Sequence, residues 1–236
     1  MPRDLPENTR LLVICPSRGR PDRVMDMLKS FYETRSAGTE ICIVVSVDDL
    51  RFGEYEKNLT GENLIVCESR FTPDKTNYVA AKLYPDLSYY GLVDDDQIFR
   101  TPGWDIKFIQ EIEKHKGWGL CCGKDLFNAD WYQYKHPNGF IVSGNFVKLF
   151  GYLIYPKFQH VGIDHWQADL FGHAGCLFHL PEVIIEHCHA NIGKAAMDEG
   201  YAWVYSKEVY EYGMNIWYGW QQNEMPADIS KLRKAR

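Results

Sequence analysis

What most constrains this chain is a series of apolar runs, each closed by a polar cluster and most followed by a helical pattern. Residues 11–15 are unbroken apolar sequence ending at Pro16, as expected of a strand buried on both faces. Pro21 then sits where a helix opens, and Val24, Met25, Leu28, Phe31 and Tyr32 recur at helical spacing. Residues 41–47 predict a second buried strand closed by Asp48-Asp49, and residues 64–67 a shorter third. Thr72-Pro73 predicts a capped helix start, continuing through Val79, Ala80 and Leu83. Residues 89–93 predict a fourth strand that runs straight into Asp94-Asp95-Asp96. Thr101-Pro102 then opens a helix with Trp104, Phe108, Ile109 and Ile112 on its inner face. Strands alternating with helices at this spacing predict an α/β fold with a mostly parallel sheet flanked by helices.

A chain of 236 residues with 45% hydrophobic content can bury one large core. No apolar run approaches the roughly 20 residues that cross a bilayer, and the charged first ten residues do not resemble a secretory leader. The seven cysteines are odd in number and lie mostly inside apolar runs, as free thiols in a reducing compartment would, which predicts the cytoplasm. A net charge of −6 argues against a chain that coats nucleic acid, although Lys231, Arg233, Lys234 and Arg236 form a short basic tail.

Ligands of such sheets bind beyond the carboxyl ends of the strands, where Ser17-Arg18, Asp48-Asp49 and the acidic triplet converge. The turn after the first strand lacks the G-x-G-x-x-G of dinucleotide-binding folds, and the chain has no P-loop. In an extended segment Asp94 and Asp96 point the same way, so two hard oxygens can meet one Mg²⁺ or Mn²⁺. A solvated acidic turn is the ordinary explanation of such a triplet. Here apolar sequence flanks it on both sides, and clustered carboxylates in that setting are costly without a cation. His187-Cys188-His189, after another apolar run, offers an imidazole to complete the coordination. A zinc site from Cys121, Cys122, His187 and His189 is disfavoured, because adjacent cysteines lack the spacing that wraps one ion. Asp164, beside His165 and Trp166, is placed either to accept a proton from a hydroxyl or to cap a helix.

Taken in order, residues 13–18, 44–49, 91–96, 142–145, 162–164 and 187–189 resemble the GT-A glycosyltransferases, in particular the family 2-like group of phages and bacteria. The resemblance implies a catalytic domain over residues 1–196, with a nucleotide-sugar half at about 10–100 and an acceptor half at about 101–196. A C-terminal helical extension with the basic tail, residues 197–236, would follow. It implies a hexosyl- or pentosyltransferase using Mn²⁺ or Mg²⁺ and a nucleoside-diphosphate sugar, foremost a UDP-sugar. Pro16, Ser17, Arg18, Asp48, Lys75, Asn77, Asp95 and Lys194 would bind that donor. Asp94 and Asp96 would hold the metal with His187 or His189, and Asp164 would be the catalytic base. Inverting members often carry Glu-Asp where this chain has Ile163-Asp164, which leaves the stereochemical outcome open.

Two other functions use the same features. A nucleotidyltransferase would release pyrophosphate, and Ser17-Arg18-Gly19-Arg20 partly fits its basic loop. A glycan-binding module would bind without metal. The implied acceptor is a glycan or small molecule, or a hydroxymethylated pyrimidine in DNA. Trp131, Tyr132, Tyr134, Phe158, Trp166, Tyr201, Trp203, Trp217 and Trp220 would stack on it unless they are core. Residues 197–220 predict an amphipathic helical stretch that closes over the site or forms a homodimer contact.

Overall fold

A computed structural model of the chain describes residues 4–59, 63–126 and 136–236, and within them the expected alternation forms an eight-stranded sheet. Strands β1 (Leu11–Ser17), β2 (Thr39–Ser46), β3 (Asn63–Cys67) and β4 (Tyr89–Leu92) lie side by side in the order β3-β2-β1-β4, all parallel. Helices α1 (Pro21–Thr34) and α2 (Phe52–Asn58) connect the first three. Helix α3 (Thr72–Asn77), continued by a π-helical turn over Tyr78–Leu83, leads to β4. The second half is mixed. β4 pairs antiparallel with β7 (Phe140–Ser143), β7 antiparallel with β6 (Leu120–Lys124), and β6 parallel with β8 (Leu177–His187). The far half of β8 pairs antiparallel with the short β5 (Gln97–Phe99).

Alternate residues of the same strands feed two cores, one on each face of the sheet. Leu12, Ile14, Cys42 and Val44 face α5 (Gly144–Phe150) and α6 (Ile163–Ala174), while Leu11, Val13, Ile41 and Ile43 face α1 and α4 (Trp104–Lys114). Cys121 and Cys122 divide between these faces, so they share no ion. α4 begins later than Thr101-Pro102 suggested, after Gly103, whose φ of 67° only glycine adopts without strain. The C-terminal stretch is helical as expected and forms three helices, α7 (Glu199–Val204), α8 (Lys207–Asn223) and α9 (Met225–Ala235). Ser206 caps α8 by accepting from the Val209 N–H and so starts a new helix. α8 and α9 pack on α6 and bury Trp220 and Leu232 in the first core. Phe158 and Trp166 are likewise core, whereas Trp131, Tyr132 and Tyr134 lie outside the described residues. No described helix is long and apolar enough to cross a membrane.

Candidate active site

The segment after β4 carries the acidic triplet in a turn, not in the extended course its spacing suggested, with the Gln97 N–H donating to the Asp94 carbonyl at 3.2 Å. Asp94 and Asp96 turn to one side, where their oxygens and a ring nitrogen of His187 all lie within 4.8 Å of one another. Asp95 turns away and accepts hydrogen bonds from Ser17 Oγ at 2.6 Å and Arg20 Nη1 at 3.1 Å. His187 arrives through strand register: β5 and β8 set Gln97 opposite His187, and the Cys188 N–H donates to the Asp96 carbonyl at 2.8 Å.

Burial pushes the Asp94 carboxyl up to about 6 and raises Asp95 as well. Burial alone would also raise Asp96, but hydrogen bonds from His187 and Tyr201 and the charge of His187 hold it well below the carboxylate range. For His187 burial works downward, and Asp96 and Asp94 outweigh it, lifting the imidazole to about 9. Asp96 Oδ1 is buried and stands 3.0 Å from His187 Nε2. Two hard carboxylate oxygens and one imidazole fit a divalent cation of the Mn²⁺ or Mg²⁺ kind.

These groups form the floor of a pocket of about 650 Å³, within the usual range for small-molecule sites. Its walls carry Arg18, Asp49, Arg51, Arg70, Lys75 and Trp203. Lys75 is buried and donates to the Ser17 carbonyl at 2.8 Å, and burial lowers its pKa. Arg20 makes a two-pronged pair with Asp198, at 2.8 Å from both Nε and Nη2, and stacks 4.2 Å from the Tyr201 ring. The Tyr201 hydroxyl donates to Asp96 Oδ2 at 2.5 Å. The start of α7 thereby supplies a hydrogen-bond partner to Asp96. Tyr201→Phe is expected to weaken Mn²⁺ binding about 10–100-fold, the usual cost of losing such a partner, as titration calorimetry would measure.

His160 lines the same pocket and shares a hydrogen bond of 2.9 Å with Thr72 Oγ1. Burial, aided by the charge of Arg20, lowers its pKa to about 4. Between about pH 6.5 and pH 4 the unfolded chain therefore binds a proton that the folded chain refuses. Stability falls with pH in that window by no more than about 1.4 kcal/mol per unit, less where water reaches the ring. Thermal melts at pH 7 and pH 5 should show a smaller loss in His160→Gln than in the parent protein.

Asp164 stands in the first turn of α6. The turn before it is fixed by Gly162, with φ 92°, and by the close approach of α8, where a Cβ on Gly213 would meet the Val161 carbonyl oxygen at 2.4 Å. Burial would raise the Asp164 pKa, but the hydrogen bond and charge of His165 and the charge of His136 lower it, so it is ionised at neutral pH.

No protein-family model matches this sequence, and no curated protein matches it. Solved structures do. S. aureus TarS 1–349 in complex with UDP-GlcNAc superposes with a TM-score of 0.63 at 14% identity, over 96% of this chain and 71% of that one. A mannosyltransferase from Pyrobaculum calidifontis, in complex with GDP-Man and Mn²⁺, has a TM-score of 0.60 at 12% identity over 100% and 77%. The chain has the GT-A glycosyltransferase fold. A third GT-A neighbour is glucosyl-3-phosphoglycerate synthase from Mycobacterium tuberculosis, in complex with Mn²⁺, UDP and phosphoglyceric acid. Its TM-score is 0.60 at 10% identity over 88% and 78%. Against a longer TarS chain, with TM-score 0.60 and 14% identity, the present chain covers 96% of itself but only 43% of that protein.

Within the GT-A frame, Pro16, Ser17, Arg18, Lys75 and Asp95 line the pocket as the sequence suggested. Asp49 rather than Asp48 does so. Asp48 lies outside the lining, paired with Arg18 at 2.7 and 3.1 Å. Asn77 is committed to the scaffold, accepting from the Leu153 and Ile154 N–H groups and donating to the Ile154 carbonyl. Lys194 pairs with Glu186, away from the pocket lining. His187 joins the acidic pair. His189 lines the pocket with Nδ1 accepting from the Asn191 N–H and Nε2 3.1 Å from the Tyr205 hydroxyl. The sequence pattern does not mark Arg20, Asp198 or His160 as residues of this pocket, and it offers Tyr201 only as a stacking aromatic. Arg20 sat inside the noted loop Ser17-Arg18-Gly19-Arg20, but its partner Asp198 follows 178 residues later with no local signal.

Proposed function

We propose that this chain transfers a sugar from a nucleoside-diphosphate sugar, foremost a UDP-sugar, to an acceptor hydroxyl. The observation that carries this is the meeting of Asp94, Asp96 and His187 on the floor of a pocket walled by arginines and Lys75. Asp94, Asp96 and His187 would hold Mn²⁺ or Mg²⁺, which when bound supplies a Lewis acid toward a diphosphate leaving group. Lys75 and Arg18 offer point charges and donors to the nucleotide, and Tyr201 orients the Asp96 carboxylate. Asp164, ionised at the start of α6, accepts the acceptor hydroxyl's proton. UDP complexes of TarS and of the M. tuberculosis synthase favour uridine, against one neighbour with GDP-Man.

The acceptor is assigned to a glycan or small molecule. DNA has less support, because the basic tail is engaged elsewhere. Arg233 and Arg236 donate to the His173 and Ala174 carbonyls, and Lys231 stands over Phe150. Seven free thiols, five of them buried, accord with work in a reducing compartment such as the cytoplasm.

A thermal-shift panel of nucleoside diphosphates and nucleotide sugars, each with Mn²⁺, Mg²⁺ or EDTA, tests the donor. A ligand at 100 times its Kd stabilises by about 2.7 kcal/mol, which for a chain of this size is roughly 5–10 °C. Stabilisation by a uridine diphosphate only with metal is expected. No metal-dependent shift with any donor would overturn the proposal.

A further inference from the structure

We propose a second metal site, for a borderline-soft cation such as Zn²⁺, formed by His136, Asp164 and His165. Their three donor atoms lie within 4.8 Å of one another, as a group separate from Asp94, Asp96 and His187. His165 Nδ1 is 3.0 Å from Asp164 Oδ1, and His136 Nδ1 is 3.6 Å from Asp164 Oδ2. Ligands about 2.0–2.1 Å from a tetrahedral ion stand about 3.3 Å apart; the two separations, made to the two different oxygens of the Asp164 carboxylate, are of that order.

A simpler origin for half of this arrangement exists, since Asp164 Oδ1 also accepts from its neighbour's backbone N–H at 2.9 Å. That local bond does not bring in His136, 28 positions earlier, whose ring lies 4.2 Å from that of His165. The His165 ring is also braced from behind. Trp217 packs edge-on at 4.7 Å, and its Nε1 is fixed by Asp169 at 2.9 Å. The side chains of His136, Asp164 and His165 are 8%, 33% and 27% exposed, enough for an ion to enter and for the carboxylate to be partly desolvated.

The donor sets of the two sites differ in kind. Two carboxylates and one imidazole suit Mn²⁺ or Mg²⁺, whereas two imidazoles and one carboxylate suit Zn²⁺, Co²⁺ or Ni²⁺. Three protein ligands leave a fourth position open. A cation there takes the lone pairs of Asp164, so Zn²⁺ inhibits transfer even with Mn²⁺ in excess. This consequence rests on the role proposed for Asp164 above, but the site itself does not.

The test uses the full chain stripped with a chelator and titrated with Co²⁺, reading tetrahedral visible absorption and bound metal per chain. An Asp96→Asn background removes the acidic site. One Co²⁺ per chain is expected to remain there, and His165→Ala or His136→Ala is expected to weaken it at least 100-fold. Circular dichroism of each metal-free variant checks folding, and if one histidine variant fails to fold, the other decides. Asp96→Asn protein that takes up no Co²⁺, or folded histidine variants that bind within threefold of their parent, would overturn the site. Parent protein that binds Co²⁺ as expected but shows no metal-dependent shift with any donor overturns the transferase proposal instead and leaves this site standing.

Discussion

Asp96→Asn is expected to lower kcat/KM for sugar transfer by at least about 10³-fold, the upper end for loss of one preorganised electrostatic group, and to abolish the Mn²⁺-dependent thermal shift. Asp96 is the centre of the floor: Oδ1 faces His187 at 3.0 Å and Oδ2 accepts from Tyr201 at 2.5 Å. Asparagine keeps the shape and an acceptor for Tyr201 but removes the negative charge that a divalent cation needs. It also removes the counter-charge of His187, whose raised pKa depends on Asp96, so the imidazole returns toward its neutral form. Without metal, the melting temperature of the variant should stay within a few degrees of the parent, because the lost ion pair replaces one cost of burial with another. Full activity in folded Asp96→Asn protein would remove the metal from the proposed chemistry.

Asp164→Asn should lower kcat by about 10²–10⁴-fold, the range of general-base contributions. The donor's thermal shift with Mn²⁺ should be unchanged, because Asp164 is not among the residues lining the pocket proposed for the donor. The carboxylate is held ionised by His165 and His136 and is aimed by a turn that depends on Gly162 and Gly213. Asparagine preserves the local hydrogen bond from the His165 N–H but cannot take up a proton. Equal losses in kcat and in donor binding would show a structural role instead.

The two variants separate the halves of the site. One loses metal and transfer together, and the other loses transfer alone. Both residues stand out in the sequence by position, Asp96 just after a strand pattern ends and Asp164 where a helix begins.

The strands with continuous apolar runs were legible for a physical reason. A strand covered by helices on both faces has no polar positions to dilute its signal, so residues 11–15, 41–47 and 89–93 marked themselves, and their ends marked the pocket. The helix α2 was not foreseen, since Phe52–Asn58 buries only Tyr55 and carries no amphipathic stripe. The short strand β5 was seen only as apolar continuation after the triplet; its three residues gain ladder partners solely from β8.

By itself the sequence determined the α/β alternation and the gathering of polar clusters, the acidic triplet among them, beyond the strand ends. Only the tertiary structure set His187 rather than His189 beside the acidic pair, because strand register puts His187 opposite Gln97 whereas His189 leads a new turn. It alone moved Asp48 and Asn77 out of the pocket and brought Arg20, Asp198 and Tyr201 into it. Local patterns fix which backbone an element adopts and which face it buries. Pairings between residues more than a hundred positions apart follow from how the sheet closes, and no local pattern encodes them.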